Sequence, residues 1–137
     1  MQDIKAVCLD TRILSAFLKG KAAAQKVVQD YLQKGYEAYT TTVNIAEYFW
    51  GAYKLNKLPE TKLRDLQNFF ATLHPRGLDY DASVLAGKLN ATILQGQEIG
   101  WRDLFIGAIT LLNGKQIITS NRDHFGRIPN LKIIDFH

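Results

Sequence analysis

The stretch "IKAVCLD", residues 4–10, runs apolar from 4 to 9, interrupted only by Lys5, and then stops on an acid. A strand covered on one face alternates apolar and polar residues, whereas a strand covered on both faces reads as a continuous apolar run. Residues 4–9 fit the second pattern, and "QIIT" (116–119) and "LKIID" (131–135) repeat it. "EAYTT" (37–41) is a further short strand. "HPRGLD" (74–79) is a candidate edge strand, since Pro75 cannot donate to a ladder. Between these runs the helical period recurs at 12–18, at 22–34 closed by Gly35, at 43–55 after a Thr42 cap, at 59–72 with Pro59 near its start, at 80–96, and at 101–113 closed by Gly114. Strands interleaved with helices predict an α/β fold, an open and mostly parallel sheet of four or five strands with helices on both faces. In such sheets sites form at the carboxyl ends of the strands.

Composition bounds the rest. The 137 residues, 47% of them apolar, fit one domain with its own core over 1–137. Seventeen Lys and Arg against 13 Asp and Glu give a net charge of +4, a modest excess that favours a polyanionic partner. A lone cysteine, Cys8, excludes an internal disulfide and a Cys-based zinc site, and its apolar neighbours make it a buried strand residue. No apolar stretch reaches membrane-spanning length, and "MQDIKA" lacks the pattern of a signal peptide, so a reducing cytoplasm is the expected setting.

The run "GWRDLFIGAITLL" (100–112) is apolar on nearly every helical face, the mark of a buried helix, yet it carries Asp103 in its first turn. A buried carboxylate without a partner costs several kcal/mol or takes up a proton. Asp103 therefore needs a cap, a cation or a metal. Asp10 follows the first strand directly, "TSNRD" with Asp123 follows the strand at 116–119, and Glu47 falls early in the helix after "YTT". With right-handed crossovers all four acids point to one rim of the sheet. Carboxylates that close repel one another unless protons or cations share the pocket. Oxygen-only ligands favour Mg²⁺ or Mn²⁺, and such an ion lowers the pKa of water and polarises phosphoryl oxygens, as phosphodiester hydrolysis requires. Blander roles compete at each position: Asp10 as a helix N-cap, Asp103 as a dipole partner, Glu47 as a surface residue, Asp123 as part of a solvated turn.

Other chemistries lack their residues. His74, His124 and His137 are too scattered for a paired-histidine nuclease, and no G-x-S-x-G turn or glycine-rich phosphate loop is present. A receiver-type Mg²⁺-binding module also gathers acids at strand ends, but it needs a strand-end Lys that "QIITSN" does not offer.

"CLDTRILSAFLKG", "TTTVNIAEYFWGA", "LDYDASVLAGKL", "IGWRDLFIGAI" and "IITSNRDHFGRIPNLKIIDF", in this order, resemble the motifs of PIN-domain ribonucleases of the VapC type, the toxins of toxin–antitoxin pairs. The resemblance implies a Mg²⁺- or Mn²⁺-dependent endoribonuclease with acids Asp10, Glu47 and Asp103, leaving 5′-phosphate and 3′-hydroxyl ends. It places Asn121 at the family's fourth position, usually Asp or Asn, with Asp123 as the alternative supplier of charge. Arg12 stands where a small polar residue is commoner. Thr11 and Thr119 are candidates to support the acids, and Arg12, Arg102, Arg122 and Arg127 to hold RNA phosphates. Helices 43–55 and 59–72 carry Tyr48, Phe49, Trp50, Tyr53, Phe69 and Phe70, more aromatic surface than one face hides, which suits a homodimer or a groove for an antitoxin helix. An RNA-processing nuclease of the same fold, working without an antitoxin, is the alternative function.

Overall fold

The computed structural model describes residues 4–93 and 96–136. The strands are β1 (Ala6–Leu9), β2 (Glu37–Tyr39), β3 (Gln116–Thr119) and β4 (Lys132–Asp135). They form one sheet in the order β2-β1-β3-β4, and every pairing is parallel. Among the described residues, seven helices accompany them: α1 (Thr11–Leu18), α2 (Ala22–Gln33), α3 (Thr42–Leu55), α4 (Glu60–Ala71), α5 (Tyr80–Thr92), α6 (Trp101–Leu111) and α7 (Arg122–Phe125). The helix expected at 80–96 is followed here to Thr92; residues 94 and 95, like His137, lie outside the described residues.

The unbroken apolar reading of β1 is explained by its two neighbouring cores. Ala6 and Cys8 join Tyr39 and Ile117 on one face against Leu104, Ile106 and Ala108 of α6 and Ala86 and Leu89 of α5. Val7 and Leu9 join Ile118 on the other face against Ile13 and Leu14 of α1, Val28 of α2, and Leu66 and Phe70 of α4. Each fully buried aliphatic side chain of this kind contributes about 1.5–3 kcal/mol. Cys8 is wholly buried, and burial raises its thiol pKa, so it stays protonated and inert.

Three local expectations change. Residues 74–79 form no strand; only an isolated bridge joins Thr41 to Arg76, because Pro75 has no N–H with which to extend a ladder. The cap of α3 is Thr41 rather than Thr42, its side chain accepting from the Asn44 backbone N–H at 3.1 Å. The turn after β3 closes into the short helix α7, too brief to show a period in sequence.

Order β2-β1-β3-β4 means the chain first moves from β1 to one side, then returns to β3 on the other side and continues outward to β4. Their carboxyl ends flank the switch point of the sheet, where open α/β folds form their clefts. Gly114 brings the chain from α6 into β3 at φ 104°. A Cβ there would lie 2.4 Å from the Ala6 carbonyl oxygen, so only glycine lets the turn lie against β1.

Candidate active site

Asp10 ends β1 at the N-cap position of α1, but its side chain makes no capping hydrogen bond. Its carboxylate faces the other way, into a set of buried donors. Thr119 Oγ1 donates to Oδ2 at 2.6 Å and Asn44 Nδ2 donates to Oδ1 at 2.8 Å. Asn44, fully buried on α3, also donates to Thr11 Oγ1 at 3.0 Å and receives the Thr41 hydroxyl at 2.7 Å. The Thr119 hydroxyl oxygen in turn accepts from the Asn121 backbone N–H at 3.0 Å. Burial raises the Asp10 pKa, hydrogen bonds from Thr119, the Thr11 backbone and Asn44 oppose the rise, and the charge of Asp103 adds to it.

Asp103, in the first turn of α6, is 2% exposed. His124 Nδ1 lies 2.6 Å from its Oδ2, and Asn121 Nδ2 donates to the same oxygen at the long distance of 3.4 Å. Arg102 Nη2 lies 2.8 Å from Oδ1, but out of hydrogen-bonding geometry, so Oδ1 is buried with a charge beside it and no hydrogen bond. The same guanidinium reaches Glu47 through Nη1. Arg102 thus clasps two of the expected acids at once.

Asp10 and Glu47 border an open cleft of about 440 Å³ whose wall also includes Thr11, Arg12, Arg102 and Asn121, while Asp103 lies buried behind Arg102 and Asn121. The structure brings together Asp10, Glu47, Asp103 and Asn121, with Thr11 and Thr119 in contact with Asp10 or its support. Asp123 does not join them; it is exposed on α7 and absent from the cleft wall, because two residues, roughly half a helical turn, put it on the far side of the chain from Asn121. Of the four arginines, Arg122 is held by Asp135 at 2.8 Å and Arg127 donates to the Gln97 carbonyl at 2.9 Å, so neither faces the cleft. Arg102 faces it but is engaged by carboxylates. Arg12 alone of the four lines it with no carboxylate partner among the described residues.

Two site residues escaped the sequence. Asn44 sits in an apolar run and shows its role only through its contact with Asp10. His124, one of three scattered histidines, lies three residues after Asn121 on α7, and that helical spacing was the available signal.

Among the described residues, no three His, Cys, Asp or Glu side chains stand close enough to hold an ion in this arrangement, which corrects the expected four-carboxylate cluster. Arg102 accounts for the difference, since its guanidinium separates Glu47 from Asp103 and supplies the positive charge they need. The donor chemistry nonetheless fits a hard divalent ion: oxygen ligands, two buried carboxylates, and one buried oxygen, Asp103 Oδ1, without a hydrogen bond.

Residues 7–131 match the PIN domain family, and the chain belongs to it. Among its relatives is the tRNA(fMet)-specific endonuclease VapC of Salmonella typhimurium, 27% identical over 97 residues, which are 70% of this chain and 73% of that protein. Similar folds occur in the Rickettsia felis VapBC2 structure bound to a promoter DNA fragment (TM-score 0.80, 24% identity, 96% of this chain and 99% of that one). VapBC-1 of nontypeable Haemophilus influenzae is comparable (TM-score 0.77, 24% identity, 95% and 97% covered).

Proposed function

We propose that this chain is a divalent-metal-dependent endoribonuclease, the toxin of a toxin–antitoxin pair. The observation that carries the reading is the pair Asp10 and Asp103, both buried at the switch point of the sheet, with Asp103 Oδ1 left without a hydrogen bond. The related Salmonella protein is an endonuclease and several similar folds are VapBC structures, which supports both halves of the proposal.

Asp10, Asp103 and Glu47 would hold Mg²⁺ or Mn²⁺. A bound divalent ion supplies Lewis acidity, making water more acidic and offsetting charge on the phosphoryl oxygens. The protein's own groups do the positioning. Thr119 and Asn44 fix both oxygens of Asp10, so its carboxylate keeps one orientation. Asn121 presents a neutral amide beside Asp103, able to orient water or a phosphate without adding repulsion. His124 sets the plane of the Asp103 carboxylate. Arg102 neutralises Glu47 and Asp103 until an ion takes over that task. Arg12, at the cleft wall, offers the substrate backbone a cation.

On α3, Trp50 and Tyr53 are 65% and 53% exposed while Tyr48 and Phe49 turn inward onto Phe70. This exposed aromatic edge suits the antitoxin, or a second copy of the chain, as a covering partner.

The test is cleavage of total cellular RNA by purified protein, with fragment ends mapped. Cutting in Mg²⁺, none in EDTA and none by Asp10→Asn supports the proposal. Cutting that persists in EDTA or in the folded variant removes it.

A further inference from the structure

Beside the active cleft runs a second groove of about 240 Å³, lined by Arg12, Ser15, Ala16, Lys19, Lys21 and Phe136. Arg12 lines both, so the two are neighbours on either side of its side chain. Residues 12, 15, 16 and 19 follow the helical period and form one face of α1, which leads away from the cleft. Lys21 stands at the start of α2. Phe136 follows β4 and is pinned next to the site by its backbone N–H, which donates to the Thr119 carbonyl at 3.1 Å. The Phe136 side chain packs against the core while remaining partly exposed in the groove.

Among the described residues, the groove wall has three cations and no acid. Among the described residues, none of Arg12, Lys19 and Lys21 forms a salt bridge. That sets them apart from Arg102 and Arg122, whose charge is already matched by carboxylates. A polyanion approaching the acidic centre needs unmatched cations close by; Arg12 lines the cleft itself, and Lys19 and Lys21 share the neighbouring groove with it. A partly exposed aromatic ring among cations is the arrangement that stacks an unpaired base while the backbone is held by charge. A duplex keeps its base faces stacked within itself and presents none to Phe136.

We propose that this groove is a single-stranded RNA subsite, in which Arg12, Lys19 and Lys21 hold phosphates flanking the scissile one and Phe136 stacks a base. The proposal rests on the endoribonuclease reading and adds to it the path of the strand, which leaves the cleft along α1.

The test is fluorescence anisotropy of a labelled single-stranded RNA in EDTA at several salt concentrations. Lys19→Ala with Lys21→Ala should weaken binding and reduce the slope of log K against log salt by ~1.4, about 0.7 for each phosphate deprived of its lysine. The same charge removed by Lys57→Ala with Lys62→Ala, on exposed positions outside the groove, should leave the slope as it is. Phe136→Leu keeps apolar volume against the core and removes the aromatic face; it should weaken binding severalfold with an unchanged slope. A competing RNA duplex should displace the probe poorly. An unchanged slope in the Lys19 and Lys21 variant, an equal fall in the control pair, or duplex competition equal to single strand overturns the subsite. Parent cleavage in Mg²⁺ is measured alongside. A parent that cuts RNA while the groove variants bind normally overturns the groove alone, whereas a parent that neither binds nor cuts RNA overturns the nuclease reading and the groove with it.

Discussion

Asp10 is pulled two ways: burial raises its pKa, and three donors favour its charged form. Burial wins. For a carboxyl whose folded pKa lies above its unfolded value of 3.8, ionisation costs stability at neutral pH, and the cost disappears as pH falls through the folded pKa towards 3.8. In EDTA, Asp10→Asn should therefore melt at or above the parent at pH 7, with the gap closing towards pH 4; a gap that widens on acidification would reverse the sign. Arg102 gives a second check, since it takes the place of a cation between Glu47 and Asp103. Arg102→Met should lower the melting temperature in EDTA and enlarge the rise that Mg²⁺ produces, and an unchanged Mg²⁺ response would show that the guanidinium does not compete with the ion. At the closing turn, RNA cleavage assays should find Asn121→Ala at least tenfold slower, of the order seen when groups orienting metal ligands are removed. Asp123→Ala, altering an exposed side chain, should be close to parent. The opposite ranking would restore Asp123 to the site.

Among the elements, β1 and β3 were legible because a strand covered on both faces writes an unbroken apolar run, and the two cores on either side of Val7 and Cys8 are the physical cause; β4, at the sheet edge, shows it only in the partly buried pair Ile133 and Ile134. α6 was legible for the same reason, and so was the anomaly of Asp103 within it. The element that the sequence hides is the one too short to hold a pattern, the four-residue α7, whereas at 74–79 the sequence suggests a strand and only the bridge at Arg76 forms. His124 and Asn44 are hidden as well, since their roles lie in hydrogen bonds across 21 and 34 residues that no local spacing reveals. Gly114, expected as a helix stop, has a stricter duty where α6 turns into β3. Ala at φ 104° is strained, and its Cβ would meet the backbone of β1, which cannot swing aside as a side chain end would. Gly114→Ala should cost more than about 1 kcal/mol in urea unfolding; a loss of only a few tenths would mean the turn relaxes away from Ala6.

At the scale of the whole molecule, the parallel order β2-β1-β3-β4 gathers acids that are far apart in sequence at the carboxyl ends of β1 and β3, and the helices on both faces bury them there. Such a centre needs a counter-charge, which Arg102 supplies to Glu47 and Asp103, and the central claim is that a divalent ion fills that role in the working protein. If Asp103 merely favours its helix dipole, Asn in its place loses little and the response to Mg²⁺ is the same in both proteins. If Asp103 is a ligand, Mg²⁺ at about 100 times its Kd adds about 2.7 kcal/mol to the parent. The decisive measurement is the melting temperature of the parent and of Asp103→Asn, each in EDTA and in Mg²⁺. The account predicts a rise of several degrees with Mg²⁺ for the parent and none for the variant; equal Mg²⁺ stabilisation of both proteins, or of neither, would contradict it.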